Sequence, residues 1–271
     1  MTLQKLIEQG ITKTGITISR IGSYELDSPV PCSSDIRVYP ESQNIISKKK
    51  KPGKQPQNPA KLLWEFFQYK ALHRVFENYG IENNMLNVKI AEPFAVYPRD
   101  YHLYTEFISG FILQDFGNQV KNPLTVTWKQ TEIRAEYSVS FFLGYLSRLK
   151  ELEGIYHSDF DLRHVIFDAN NPGISMIDLE NTRYTAKKTF VAAESEFIKQ
   201  LWFEFSKHRG CKSKELNEYY QLGRSSIIKP KACMPYPQTL KQVGKEYGIK
   251  IRPEIGMLDK TRIGLQKLKK R

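Results

Sequence analysis

The spacing of apolar residues changes period partway along this 271-residue chain, and that change limits the folds open to it. Before Pro59 the pattern is extended. ITKTGITIS, DIRVYP and NIIS read as short strands, broken by SPVPCSS and followed by the lysine- and proline-rich loop KKKKPGKQPQNP. From Pro59 to Tyr79 the period lengthens, with Leu63, Phe66, Phe67, Ala71 and Val75 at three- and four-residue steps on one helical face. Asn58-Pro59 is a start signal for this helix and Gly80 a stop. Two more extended runs follow, VKIAEPFAVYP and HLYTEFI, the second ending at Ser109-Gly110. Arg134 to Glu153 is amphipathic, with Ala135, Val139, Phe142, Leu143, Leu146 and Leu149 on one stripe. The short apolar runs HVIFD and ISMID then flank the turn ANNPG, and a last helical pattern, Phe190 to Ser206, carries Phe197, Leu201 and Phe205. No internal repeat is present. A strand-rich half with one helix thus precedes a helical half with one hairpin. This is an α+β order, not the alternation of a doubly wound sheet.

Hydrophobic residues make up 40% of the chain and aromatic residues 12%, enough for a buried core, which excludes disorder throughout. Cys32, Cys211 and Cys233 form neither a CxxC pair nor a zinc pattern, so reduced thiols in a cytosolic chain are expected. MTLQKLIEQG lacks a signal-peptide profile, and no apolar run approaches the roughly 20 residues that cross a bilayer. The expectation is a cytoplasmic protein, peripheral at most to the inner membrane face. The net charge of +12 is concentrated: residues 207–271 hold 17 Lys or Arg against 5 Asp or Glu, and the rest of the chain is balanced. Such a segment implies either a polyanionic neighbour (anionic lipid, phosphorylated glycan or RNA) or a solvated basic surface.

The segment most informative about chemistry is GIYHSDFDLRHVIFDANNPGISMIDLENTR. Asp159 follows a long helix, His164 precedes one strand of the hairpin, and Asp178 ends the other, 14 residues after His164. A hairpin brings the ends of its two strands together, so residues this far apart in sequence can face one metal. Phosphoryl transfer calls for this set: one carboxylate to orient an acceptor hydroxyl and take its proton, another to hold magnesium against nucleotide phosphates, and a second metal ligand.

This stretch resembles the catalytic loop HxDxxxxN of kinase-like enzymes followed by their Asp-centred metal motif, with His157-Ser158-Asp159, His164 in the Asn slot and Ile177-Asp178-Leu179-Glu180. The runs DFDLRHVIF and MIDLENTR are similar to the lipopolysaccharide kinase family, which phosphorylates heptose or Kdo sugars of the lipid core. The resemblance implies that Asp159 is the catalytic base and that His164 and Asp178 are metal ligands. It also implies a bilobal protein-kinase-like fold, with a small β-rich N-terminal lobe bearing one main helix (1–109, hinge at 103–110). A mostly helical C-terminal lobe (110–206) would hold the catalytic loop 157–164 and the metal motif 177–180. Residues 207–271 would be a basic C-terminal extension.

In that alignment HLYTEFISGFIL is similar to the inter-lobe hinge. Thr105 guards the pocket, while Glu106 and Ile108 offer a carbonyl and an N–H to adenine. Glu65 on the helix would pair with a phosphate-gripping lysine, for which Lys48, among Lys48 to Lys51, best fits an inward-facing position. No GxGxxG occurs, and Gly22-Ser23 is the candidate for a phosphate-covering turn. Glu180 replaces the usual glycine of the metal motif, no Ala-Pro-Glu follows, and ENTRYTAKKTF is too short for a peptide-docking activation segment. These departures point away from an ordinary protein kinase. The implied activity is ATP- and magnesium-dependent transfer of a γ-phosphoryl group to a hydroxyl of an anionic glycoconjugate sugar. The alternatives are a small atypical kinase of RNA metabolism, or an inactive kinase-like binding module.

The charge distribution makes one prediction. Deleting the terminal LQKLKKR should leave basal nucleotide hydrolysis intact and weaken binding to anionic vesicles, since each Lys or Arg near such a surface contributes about 1 kcal/mol. Affinity for vesicles and RNA that is unchanged at low and moderate salt would assign these charges to solubility alone.

Overall fold

A computed structural model of the chain describes residues 2–19, 21–25, 34–42, 45–50, 58–79, 87–108, 110–112, 125–128, 131–157, 164–168, 173–177, 179, 182–184, 192–227 and 233–253. Its elements in chain order are α1 (Leu3–Gln9), β1 (Ile11–Thr12), β2 (Tyr24–Glu25), β3 (Ser34–Tyr39), β4 (Ile45–Lys50), α2 (Pro59–Asn78), β5 (Asn87–Ile90), β6 (Pro93–Tyr97) and β7 (His102–Glu106). There follow β8 (Gly110–Ile112), β9 (Thr125–Trp128), β10 (Thr131–Arg134), α3 (Ala135–Glu153), β11 (Ile155–His157), β12 (Val165–Asp168), β13 (Gly173–Met176), β14 (Thr182–Tyr184), α4 (Ala192–Arg209), α5 (Ser213–Ser225) and α6 (Tyr236–Glu246). The α+β class expected from the sequence is the one observed.

The chain forms two compact units. The first comprises residues 1–74, 90–108 and 237–271, and the second residues 75–89 and 109–236. The chain passes from one unit to the other after residues 74, 89, 108 and 236.

In the first unit six antiparallel strands lie in the order β1-β6-β7-β4-β3-β2. Alternation along β4 sorts its side chains. Ile45 joins Tyr39, Phe94, Ala95 and Tyr104 in one cluster, and Ser47 donates to Tyr39 Oη at 3.4 Å on that same face. Ile46 and Lys48 point the other way. Helix α2 is buried on most of its circumference, with Leu62, Tyr69 and Leu72 inside as well as the residues of the expected stripe. Helix α1, not foreseen from the sequence, is short and capped at both ends: Thr2 Oγ1 accepts from Lys5 N–H at 3.3 Å, and Gly10 closes it at φ 71°.

In the second unit α3 supplies the spine. Val139, Phe141, Phe142 and Tyr145 are buried, and the helix ends at Gly154, which takes the left-handed conformation at φ 71°. Helix α5 packs across α3 at Gly144 and Gly223. Ser140 Oγ donates to Leu216 O at 2.8 Å and Tyr220 Oη to Ser147 Oγ at 3.0 Å. The carboxylate of Glu153, 2% exposed, accepts from Tyr79 Oη and, at 2.7 Å, from Tyr236 N–H. Burial first, and the neighbouring carboxylate second, push the Tyr79 phenol far above its ordinary range, so it remains a donor. A four-stranded sheet in the order β5-β13-β12-β8 and the ribbons β9-β10 and β11-β14 complete the unit.

Two sequence readings change, and the C-terminal segment gains detail. VKIAEPFAVYP is not one strand: β5 and β6 belong to different sheets, separated at Ala91-Glu92. ITKTGITIS is a strand only over Ile11–Thr12, because the chain turns at Gly15 (φ 81°), where Ile16 N–H donates to Lys13 O at 3.2 Å. Finally, much of 207–253 is helical and packed. Besides α5, α6 belongs to the first unit, where Glu246, at its end, pairs with Arg74 of α2 at 2.6 and 2.9 Å. Just beyond it Tyr247 Oη accepts from Lys70 at 2.7 Å, with its ring 5.6 Å from that of Phe67. No helix among the described residues is long and apolar enough to cross a membrane.

The close crossing of α3 and α5 gives a direct test. A Cβ at Gly144 would lie 1.9 Å from Tyr220 O, and one at Gly223 would lie 1.9 Å from Phe141 O. Backbone cannot move aside as a side chain does, so Gly144→Ala and Gly223→Ala should each lower unfolding free energy by roughly 1–3 kcal/mol. Urea melts check this, and wild-type midpoints in both variants would contradict the packing.

Candidate nucleotide site

Lys48 sits in the middle of β4, paired with Ile36 of β3 on one side and Leu103 of β7 on the other. Its ammonium lies 3.3 Å from Glu65 Oε1, where the lysine side chain is 21% exposed and the glutamate 0%. A carboxylate removed from water is strongly disfavoured unless compensated, and a charge-assisted hydrogen bond from lysine supplies the compensation. Lys49, next along the strand, lies on the opposite face and is exposed. The structure therefore brings together Lys48 and Glu65, residues 17 apart in sequence. An ammonium on an inner strand, steered by a buried glutamate of the following helix, is an arrangement suited to holding nucleotide phosphates.

The strands around Lys48 run β2, β3, β4 as an antiparallel meander, with Lys48 on the third. Gly22 takes φ +64° in a turn that precedes β2, so it does not join β2 to β3. The connector that does, 26–33, lies outside the described residues and contains no glycine. The candidate turn Gly22-Ser23 thus lies between β1 and β2, directly before the meander.

Glu106 ends β7. Its N–H donates to Glu92 O at 2.8 Å, and Thr105 Oγ1 stands 3.5 Å from its carbonyl oxygen, the outer limit for a hydrogen bond. Thr105 faces Ile46 and Pro93 across the sheet, and Ile108, 5% exposed, is the last residue before the chain passes to the second unit.

In the second unit, Asp159 and Asp178 lie outside the described residues, but the backbone at each end of their segments is described. Ile177 N–H donates to His164 O at 2.8 Å, continuing the β12-β13 pairing beyond Val165 and Met176. His157 pairs with Thr182 in the β11-β14 ribbon. The intervals 158–163 and 178–181 thus leave from, and return to, the same two bonded points. Asp159 is two residues from one point and Asp178 one residue from the other. Between them Leu179 is fully buried, and Thr182 is 1% exposed. His164 is half-buried, with Nδ1 shielded from solvent. Sequence reading did not single out Leu179 and Thr182 as buried residues; the apolar character of Leu179 was the available signal. Among the described residues no three potential metal ligands cluster.

After α1 and β1 the order is a meander with Lys48 on its third strand, a helix with Glu65, β5 in one sheet and β6 and β7 in the other, then a largely helical unit holding a short hairpin. No protein-family model matches the chain, and no curated protein matches it. Among solved structures it is similar to the Rio2 kinase–ADP/Mg2+–phosphoaspartate complex from Chaetomium thermophilum, at 13% identity and a TM-score of 0.45. That likeness covers 83% of this chain and 66%, just under two thirds, of the other.

The ion pair is open to test through stability. Lys48→Met should cost roughly 1–3 kcal/mol, the range for losing one partner of a buried pair discounted for the partly exposed lysine. Adding Glu65→Leu should recover part of that loss, because no uncompensated buried carboxylate then remains. Strictly additive losses in denaturant melts would show that the two groups do not interact.

Proposed function

We propose that the chain is an ATP- and magnesium-dependent kinase that transfers a γ-phosphoryl group to a hydroxyl. The Lys48–Glu65 pair is the observation that carries this reading. It has the residue types, strand and helix that a phosphate grip requires, and it lies in the unit whose β7 leads into Glu106 and Ile108. Lys48 would hold the α- and β-phosphates, with Glu65 fixing its direction. Backbone groups of Glu106 and Ile108 would receive the base. Asp159 would orient the acceptor hydroxyl and take its proton as oxygen bonds to phosphorus and ADP departs.

The carboxylate of Asp178 is the oxygen donor that a hard divalent cation prefers, and the imidazole of His164, in the Asn slot, would be a second, softer ligand. Bound there, magnesium would neutralise charge on the nucleotide phosphates. The acceptor class implied by the family resemblance is a sugar hydroxyl of a lipopolysaccharide-type glycoconjugate. The short segment after Glu180 favours such an acceptor over a protein. The excess positive charge of 207–271 suits an anionic acceptor or the anionic inner membrane face, which would put the protein in the cytoplasm.

Turnover of ATP against panels of sugar, RNA and peptide hydroxyls tests the reading. Asp159→Ala should lower turnover by roughly 10²–10⁴-fold with nucleotide affinity little changed. Asp178→Asn should weaken magnesium-dependent ATP binding as well, and His164→Asn should be tolerated. Full activity in folded Asp159→Ala removes the base. Magnesium-independent nucleotide binding without turnover identifies a binding module instead of an enzyme.

A further inference from the structure

The end of β7 is held by contacts that strand pairing alone does not require. Glu106 N–H donates to Glu92 O at 2.8 Å, and Glu92 N–H donates back to Glu106 Oε2 at 3.3 Å. Glu106 is thus tied to one residue through both its backbone and its side chain. The carboxylate of Glu92 in turn accepts from Lys13 Nζ at 2.6 Å. Lys13, just past β1, anchors itself nearby: its N–H donates to Phe94 O at 2.7 Å and its ammonium lies 5.5 Å from the Phe94 ring centre. A register shift in β6 between Pro93 and Ala95 accommodates Phe94 there.

An ion pair as exposed as Lys13–Glu92, at 41% and 33%, contributes little to stability. Its consequence is geometric. With the N–H and the side chain of Glu106 both bonded to Glu92, the directions of two substituents on the Glu106 Cα are fixed. The third, the bond to the carbonyl carbon, is then fixed as well. Only rotation about that bond remains, and the carbonyl oxygen it turns lies 3.5 Å from Thr105 Oγ1.

Resting on the kinase reading above, we propose that Lys13, Glu92 and the Glu106 side chain form a positioning clamp. It aims the Glu106 carbonyl at the exocyclic amino group of adenine and sets the enzyme against purines bearing an oxygen there. A carbonyl facing that oxygen would oppose two acceptors, and a site built around one hydrogen bond rejects the analogue that cannot make it.

Dissociation constants for ATP and inosine triphosphate, each with magnesium, test the clamp in the full-length chain. Wild type should prefer ATP. Glu106→Ala and Lys13→Met should each reduce that preference about 5- to 10-fold, the scale of one aimed hydrogen bond, mainly by weakening ATP. Glu106→Gln keeps an acceptor for Glu92 N–H and should stay near wild type, a rescue that a purely structural role would not single out. An unchanged ATP-to-inosine ratio in Lys13→Met, whose exposed site tolerates the change, overturns the clamp even if Glu106→Ala fails to fold. A Gln variant as impaired as the Ala variant also overturns it. Wild type that binds neither nucleotide sinks the kinase reading itself, whereas wild type that binds ATP beside variants of unchanged ratio sinks the clamp alone.

Discussion

Glu65 is a carboxylate with none of its side chain in contact with solvent, and the arrangement of the first unit has to accommodate that charge. Lys48 can reach it only if β4 holds one register against β3 and β7, since a slip of one residue would turn Ser47 or Lys49 toward the helix instead. The opposite face of β4 enforces the register. Ile45 is packed among Tyr39, Phe94 and Tyr104, and Ser47 is bonded to Tyr39. The apolar cluster on one side and the ion pair on the other therefore depend on each other. A buried pair of this kind is costly to break even where it contributes little net stability, so it specifies one relation between strand and helix.

The second unit is organised by backbone pairing and by the long helix α3 rather than by a single charge. Two glycines let α5 approach α3 until their backbones touch, and hydroxyl groups of Ser140, Ser147 and Tyr220 complete the polar contacts in that seam. At the other end of α3, Glu153 gathers Tyr79 and Tyr236, one from each side of the sequence, onto a single buried carboxylate. On this scaffold the hairpin β12-β13 and the ribbon β11-β14 hold both ends of two short intervals, 158–163 and 178–181.

Function at the end of β7 would rest on a similar economy of motion. Lys13, Glu92 and Glu106 come from three separate segments of the first unit, and the exposed ion pair among them matters through direction more than through energy.

What the sequence determined by itself was local. The three- and four-residue steps over 59–79 and 134–153 specify α2 and α3 to within one residue, and HVIFD-ANNPG-ISMID specifies the hairpin, because period and turn chemistry act over a few neighbouring residues. The residues proposed for the chemistry likewise lie in one contiguous stretch, 157–180. What only the tertiary structure decided was non-local. Which lysine of the run faces Glu65 follows from β4 pairing with β7, a strand more than 50 residues away. The division of VKIAEPFAVYP follows from two sheets claiming its two halves, and the helices of 213–246 appear as parts of both units because Gly223, lacking a Cβ, comes against the backbone of Phe141 and Tyr247 lies against Phe66 and Phe67. Apolar period records that a residue is buried. The partner it is buried against is set by pairings and close approaches between distant segments, and these exist only once the chain has folded.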